Sequence, residues 1–325
     1  MKLYLNNNTV DSLKNNAFGY SVVATTFNDE KSIERFIREI ECQTIPPKEI
    51  IVADGGSKDR TVETLKRLGK QSLIPIVVLY GERLNIAEGY NKAIKATSER
   101  FVGITGIGNR YESDYFEKLI QKVLEKNIDG AYSPVRGLDT NDFSRSYNKQ
   151  LLNGEYGQHM EIASNHGVLL KKSIFVDLNY FYEKFIYAGE DTEFYMLVKE
   201  KGYKVEIVPT AIVRWETPDN FKDFKRQTRV YSIAGLQINP ITQLKMIIKS
   251  GVKIIATVLF IIAWCATLFL PVDWLVKLSS CVVAMVIALF IRNKLKPFRI
   301  MQICMQIYYT LVNLKYAKSE YRVRR

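Results

Sequence analysis

The chain has 325 residues, enough for one large domain and an appendage. With 47% hydrophobic and 25% charged residues, it is neither a disordered chain nor one wholly embedded in a membrane. The formal charge of +12 is lopsided: residues 222–325 hold seventeen Lys or Arg against three Asp or Glu, whereas residues 1–221 hold twenty-nine against thirty-one.

The N-terminus, MKLYLNNNTVDSLKNN, lacks an apolar core of signal-peptide length, so the polar part of the chain is expected in the cytoplasm. Tyr20–Thr26 (YSVVATT) is an apolar, β-rich run and reads as a buried strand. A helix is predicted from Asp29 to Gln43, with Ile33, Phe36, Ile37 and Ile40 on one face. Pro46-Pro47 ends it, and Glu49–Ala53 is a second strand. The turn Asp54-Gly55-Gly56-Ser57-Lys58-Asp59-Arg60-Thr61 leads into a helix over Val62–Leu68. Pro75–Tyr80 is a third strand, Asn85–Thr97 a helix and Arg100–Thr105 a fourth strand. Strands alternating with helices at this spacing predict an α/β fold with a parallel sheet. Ligands on such sheets bind at the carboxyl ends of the strands. That rule gathers Thr25, Thr26, Asn28, Asp54 and the loop from Thr105 to Arg110 around one crevice.

The pattern from 130 to 215 is less regular. Asn165–Leu170 and Val205–Val208 read as strands, and Ala188–Lys201 contains a helix that begins at Glu190-Asp191. Further on, Gly251–Leu270 and Trp274–Ile291 are apolar runs with one Lys each, of a length that suits transmembrane helices. Pro271-Val272-Asp273 joins them as a tight turn, and Lys and Arg flank both outer ends. The positive-inside rule then places both ends in the cytoplasm. Nucleic-acid binding would also account for the basic third, but the apolar runs favour an anionic membrane surface. Phe298–Tyr316 reads as an interfacial amphipathic helix, with a third span as the other reading. Of the four cysteines, Cys42, Cys265, Cys281 and Cys304, none has metal-ligand spacing to another Cys or His.

Four segments occur in an order and spacing that resembles the inverting family 2 glycosyltransferases of the GT-A fold. They are Val22–Glu30 (VVATTFNDE), Ile51–Thr61 (IVADGGSKDRT), Asn85–Ala93 (NIAEGYNKA) and Ala188–Glu193 (AGEDTE). The resemblance covers residues 18–235 and implies a nucleotide-binding mixed sheet flanked by helices. The expected organisation is an extension over 1–17, a GT-A domain over 18–235 and a membrane-proximal segment over 236–250. Two transmembrane helices over 251–291 and a basic amphipathic cytoplasmic tail over 292–325 complete it, giving a multi-pass protein of the cell membrane.

The resemblance implies roles for particular residues. Asp54 matches the Asp that accepts a hydrogen bond from the nucleotide base, although an Asp-Gly-Gly turn also uses its carboxylate as a cap. Thr25 and Glu30 match base- and ribose-binding positions, and Asn28, Asn85, Asn91, Thr105 and Asn109 join them as donor-side candidates. Asp191 matches the base that removes the proton from the acceptor hydroxyl, and a carboxylate at a helix N-terminus is also favoured by the dipole alone. Glu190, His166 and Trp215 are acceptor-side candidates, with structural packing as the competing reading for His166 and Trp215.

One departure from the family stands out. The family's Asp-x-Asp, which holds a divalent metal against the diphosphate, falls here on Gly106 and Gly108, and a downstream His used by some members falls near Trp215. Three readings fit. In one, Arg110, Arg226 and Arg229 neutralise the leaving diphosphate without a metal, although Arg226 and Arg229 also suit a solvated basic face. In the second, Mg2+ or Mn2+ is recruited through Asn109, Glu112 or backbone carbonyls. In the third, the chain is an inactive, binding-only scaffold of a polysaccharide assembly complex. The expected partners are a nucleotide-sugar (UDP-sugar favoured, GDP- or dTDP-sugar as alternatives), a polyprenyl-diphosphate-linked glycan acceptor and the membrane, with no nucleic acid. The expected reaction adds a single sugar to a surface glycan.

Overall fold

The structure is a computed structural model that describes residues 18–151, 163–185, 187–267 and 297–318. These fall into two units. One comprises the described residues of 18–140 and 163–217, the other those of 141–151 and 218–318. The sequence reading drew its boundary after residue 235; the contacts divide the chain at Thr217 instead.

The first unit is built on a seven-stranded sheet. Strands β1 (Tyr20–Thr26), β2 (Glu49–Asp54), β3 (Ile76–Leu79) and β4 (Phe101–Thr105) are parallel and lie in the order β3-β2-β1-β4. The sheet continues through β8 (Gly167–Lys171), antiparallel to β4, then β6 (Gly130–Tyr132) and β9 (Val205–Ile207). It is therefore the mixed α/β sheet expected. Both faces are covered, which is why β1 is buried at nearly every position rather than alternating. Val22 and Ala24 pack to one side with α1 (Ile33–Glu41), α2 (Thr61–Gln71) and α4 (Tyr115–Lys126). Val23 packs to the other with α3 (Ile86–Ala96) and α7 (Glu190–Glu200). Between β8 and α7 lies the short helix α6 (Lys172–Asp177), whose Ile174 and Phe175 join the second cluster.

A second sheet of three strands, in the order β5-β10-β7, was not anticipated. It consists of β5 (Asn109–Tyr111), β10 (Val213–Glu216) and β7 (Val135–Leu138). Strands this short carry too little period-two signal to separate from loops. The register sets Asn109 opposite Trp215 and Tyr111 opposite Val213.

The second unit is helical: α5 (Asp142–Leu151), α8 (Phe221–Ile238), α9 (Pro240–Thr267), α10 (Pro297–Val312) and a 3-10 turn at Leu314–Lys318. Asn220 caps α8 by accepting from the Asp223 amide at 2.9 Å. Phe143, Tyr147, Phe224 and Phe298 form an aromatic core, with Phe143 and Phe298 edge to face at 4.9 Å. Gln243 donates to the Thr310 hydroxyl at 3.1 Å and ties α9 to α10. Among the described residues no helix is long and apolar enough to cross a membrane. The first predicted span is helical as far as Thr267, within α9, and its last three residues and the whole second span lie outside the described residues. The predicted amphipathic segment is helical as α10, with Phe298, Met301 and Met305 turned onto the aromatic core and Tyr308, Leu311 and Val312 exposed.

Candidate active site

The loops after β1 and β2 are bonded to each other. Asn28 sits at φ 58°, a left-handed conformation that Asn tolerates, and its amide donates to the Ser57 hydroxyl at 2.8 Å. The Lys58 amide returns a bond to Asn28 Oδ1 at 2.9 Å. The Glu30 amide donates to Asp59 at 3.1 Å, and Glu30 Oε2 accepts from the Arg60 amide at 3.3 Å. Asp54, 2% exposed, accepts from the Gly56 and Ser57 amides at 3.0 Å each through Oδ2 and from the Ser57 hydroxyl through Oδ1. Asp54 thus caps its own turn, the use that a bare Asp-Gly-Gly would also predict.

Three other donor-side candidates are bonded to the protein itself. Thr105 is fully buried and donates to the Val23 carbonyl at 2.9 Å. Asn85 caps α3, paired reciprocally with Glu88, and donates to the Glu183 carbonyl at 2.8 Å. Asn91 clasps both the amide and the carbonyl of Phe181, at 2.9 and 2.8 Å, and also bonds Glu183. Asn85 and Asn91 therefore pin the 181–183 segment. Thr25 is half-buried against Gly89, where an added Cβ would come within 2.7 Å of Thr25 Cγ2.

At the Gly106-Ile107-Gly108 turn, the Asn109 amide donates to the Gly106 carbonyl at 3.1 Å. The turn is braced by Arg35, which donates to the Ile107 carbonyl at 3.0 Å, and by the Glu216 amide on the Gly108 carbonyl at 3.1 Å. Asn109 is 2% exposed, and its Nδ2 bonds the Tyr111 hydroxyl at 3.1 Å and the His166 carbonyl at 3.0 Å. The Tyr111 hydroxyl donates to the same carbonyl at 2.6 Å and accepts from the Gly106 amide at 3.0 Å. The polar atoms around the turn are thus bonded to one another. Among the described residues no three His, Cys, Asp or Glu side chains are grouped to hold a metal. Glu112, the other side chain considered for a recruited metal, pairs with Lys118 at 3.5 Å and Arg214 at 3.9 Å. None of the groups bonded around the turn is a carboxylate, the anionic ligand a hard divalent cation favours.

Side chains alternate along β5, so Arg110 is directed away from Asn109 and Tyr111. Arg110 bonds Glu216 at 2.9 Å and approaches Glu39 at 4.0 Å, while Arg35 reaches Glu216 at 3.3 Å. Burial raises the Glu39 carboxyl above its ordinary range. Arg226 and Arg229 lie on α8 in the second unit, where Arg226 pairs with Asp223 at 3.2 Å.

The acceptor-side candidates do converge. Helix α7 starts at Gly189, whose φ of 113° suits only glycine, and Glu190 and Asp191 occupy its first turn. Asp191 is half-buried and accepts from the Thr192 amide at 2.6 Å through Oδ1, and its Oδ2 lies 3.5 Å from the Asn165 amide. Glu190 is buried. Burial first, and then the Asp191 charge, push its carboxyl up to about 8, which favours the neutral acid. Burial lowers His166 to about 4, opposed by the Asp191 charge, so the imidazole is neutral at the same pH. His166 Nδ1 lies 3.1 Å from Asn109 Oδ1, and its ring packs on Trp215 with centroids 4.9 Å apart. Tyr195 donates to Asn165 at 2.9 Å beneath the cluster. The chemistry on offer is one carboxylate free to act as a base beside groups held uncharged.

Sequence reasoning missed Tyr111, Asn165, Arg35 and Glu216. Tyr111 had a signal, since it sits two residues after Asn109 and so on the same face of any strand. Arg35 and Glu216 are 181 positions apart and had none.

Family models for glycosyl transferase family 2 and glycosyl transferase family group 2 match residues 21–178 and 125–313 respectively. The chain belongs to the family 2 glycosyltransferases and is a glycosyltransferase. It is 25% identical over 237 residues to the dolichyl N-acetyl-alpha-D-glucosaminyl phosphate 3-beta-D-2,3-diacetamido-2,3-dideoxy-beta-D-glucuronosyltransferase of Methanococcus voltae, covering 67% of this chain and 73% of that protein. The fold is similar to that of the mannosyltransferase PcManGT from Pyrobaculum calidifontis, solved with GDP-Man and Mn2+ (TM-score 0.66, 16% identity, 92% of this chain and 88% of that one). It also resembles residues 1–349 of S. aureus TarS in complex with UDP (TM-score 0.50, 18% identity, 68% of this chain and 67% of that one).

Proposed function

We propose that this glycosyltransferase moves one sugar from a nucleotide diphosphate to a lipid-linked acceptor, with inversion and without a metal. The observation that carries the reading is the half-buried Asp191 in the first turn of α7, next to the buried Glu190 and with its Oδ2 3.5 Å from the amide of Asn165, the neighbour of His166. Asp191 takes the proton from the acceptor hydroxyl as its oxygen bonds to the anomeric carbon, and the bond from that carbon to the diphosphate breaks. Keeping Glu190 protonated avoids a second negative charge beside the base.

The metal-free reading is supported by the bonded state of Asn109 and Tyr111 around Gly106. Arg226 and Arg229 remain the candidates to meet the departing diphosphate. Arg110 is a weaker one, because Glu216 already neutralises it. The lipid-linked acceptor is supported by the name of the Methanococcus voltae relative. A UDP-sugar is the favoured donor, with GDP- and dTDP-sugars as alternatives.

The second unit supports attachment to the cytoplasmic face of a membrane. Along α9, Ile241, Ile248, Val252, Ile255, Leu259 and Ile262 are all exposed at helical spacing. Lys245 and Lys249 accompany them on a segment rich in positive charge.

A turnover assay with a panel of UDP-, GDP- and dTDP-sugars, run in EDTA and in Mn2+, tests the reading. Turnover undiminished by EDTA is expected. Turnover lost in EDTA and restored by Mn2+ rejects the metal-free step, and no turnover with any donor and lipid-linked acceptor rejects the function.

A further inference from the structure

The hydrogen bonds around Asn109 decide which nitrogen of His166 carries the proton. Asn109 Nδ2 faces the His166 carbonyl at 3.0 Å, and a carbonyl only accepts, so the atom facing it is the NH2 group. The Tyr111 hydroxyl, which gives its proton to the same carbonyl, accepts from that NH2 group at 3.1 Å. The amide orientation is therefore fixed at two contacts, and Oδ1 is the atom left to meet His166 Nδ1 at 3.1 Å. Oδ1 has no proton to give, so Nδ1 must hold one, and in a neutral imidazole Nε2 is then a bare lone pair. No described protein group is bonded to Nε2. Asp191 approaches the amide of Asn165, the residue next to His166, and Trp215 lies against the imidazole.

We propose that Asn109 is a positioning residue that locks His166 in its Nδ1–H form, making Nε2 a fixed acceptor for a sugar hydroxyl beside Asp191. The inference rests on the transfer reading above. It explains what the carboxamide does at the start of β5, directly after the Gly106-Ile107-Gly108 turn. The amide bonds the His166 backbone and side chain together, so the imidazole cannot rotate without breaking the Nδ1–Oδ1 bond and its packing on Trp215. Two acceptors side by side, a carboxylate and an imidazole lone pair, suit a ligand that presents hydroxyl donors. One hydroxyl loses its proton to Asp191; the other is only held. The held hydroxyl belongs either to the donor sugar or to the acceptor sugar.

The test is a long-range 1H–15N imidazole spectrum of the full chain, uniformly 15N-labelled, at pH 7.5. The chain has only two histidines, and a His159→Gln sample assigns them. The expected result is a protonated Nδ1 and a bare Nε2 on His166 in the wild type, and a shift toward Nε2–H in Asn109→Ala. A wild-type His166 protonated at Nε2 overturns the lock without recourse to any variant. Asn109→Ala is also expected to lower kcat/KM about tenfold on the donor that the wild type uses, the size of one lost hydrogen bond. Unchanged kcat/KM alongside a shifted tautomer overturns the hydroxyl contact. An Nε2 shift on adding the sugar nucleotide but not the bare nucleotide assigns the hydroxyl to the donor sugar. A raised acceptor KM with no such shift assigns it to the acceptor. Absence of wild-type turnover sinks the transfer reading, while the tautomer readout still decides the lock.

Discussion

Asn109 and Gly106 share one space: a Cβ built on Gly106 would stand 2.9 Å from Asn109 Nδ2. At Gly108, by contrast, a Cβ would meet nothing within 4 Å. The two glycines at the family's carboxylate positions are thus unequal, one closed by its neighbour and one open.

Gly106→Asp should therefore destabilise, by pushing the amide off the His166 carbonyl and leaving buried polar groups unpaired at about 1–3 kcal/mol. Gly108→Asp should be close to neutral. Thermal melts of the two variants measure the difference, and equal losses would contradict the packing. The pair Gly106→Asp/Gly108→Asp should not gain activity with Mn2+, because the change at Gly106 breaks the Asn109 contacts with His166.

Asp191→Asn should reduce transfer by about two to four orders of magnitude, the range for loss of a general base, while binding of the nucleotide-sugar persists. Turnover and a donor titration on the same preparation check this. Substantial residual transfer would remove Asp191 from its role.

The pH dependence of stability has two opposite parts. Glu190 is raised from 4.5 to about 8 on folding, so the native state binds the extra proton between those values. Its contribution is fully present below 4.5 and is lost as pH rises through 8. His166 is lowered from 6.5 to about 4, so the unfolded state binds more protons in that window and stability falls as pH drops through it. Urea unfolding at pH 5, 7 and 9 should show Glu190→Gln losing less stability than the wild type between pH 7 and 9. Parallel curves for the two proteins would mean that Glu190 is ionised in the fold.

Asn91→Ala removes three bonds from the 181–183 segment and leaves the Phe181 amide and carbonyl unpaired in a buried place. The expected cost is about 2–4 kcal/mol. Hydrogen exchange should show faster exchange at Phe181 than at the core of β1. If Phe181 exchanges as in the wild type, Asn91 is not the pin.

Ile248→Asp/Ile255→Asp places two charges on the exposed stripe of α9. Binding to vesicles with roughly a third anionic lipid should fall several-fold, while transfer from the donor to a detergent-soluble acceptor is retained. Unchanged vesicle binding would move the membrane contact elsewhere.

The parallel half of the sheet was legible from the sequence because β1, β2 and β4 are buried on both faces and so read as continuous apolar runs. The helices between them announced themselves by period and by caps such as Asn85 with Glu88. The β5-β10-β7 sheet was not legible. Its strands are three or four residues long, and its central strand pairs residues about a hundred positions away from β5. In the site, Asp191 and Glu190 were readable from their motif. The fate of Asn85, Asn91 and Thr105 was not, since a polar side chain near a crevice looks the same in sequence whether it turns toward ligand or toward backbone. The displacement of Arg110 into an ion pair with Glu216 depended on a strand that had not been recognised.

The loops after β1 and β2 are joined by reciprocal bonds, Asn28 with Ser57 and Lys58, and Glu30 with Asp59 and Arg60. Two segments that are separate in sequence therefore move as one piece. The ordering of that piece is completed during folding, so under the proposed function a nucleotide would meet a surface already shaped rather than one it must mould. Such a surface discriminates by fit and binds quickly, and a single lesion in either loop is felt by both.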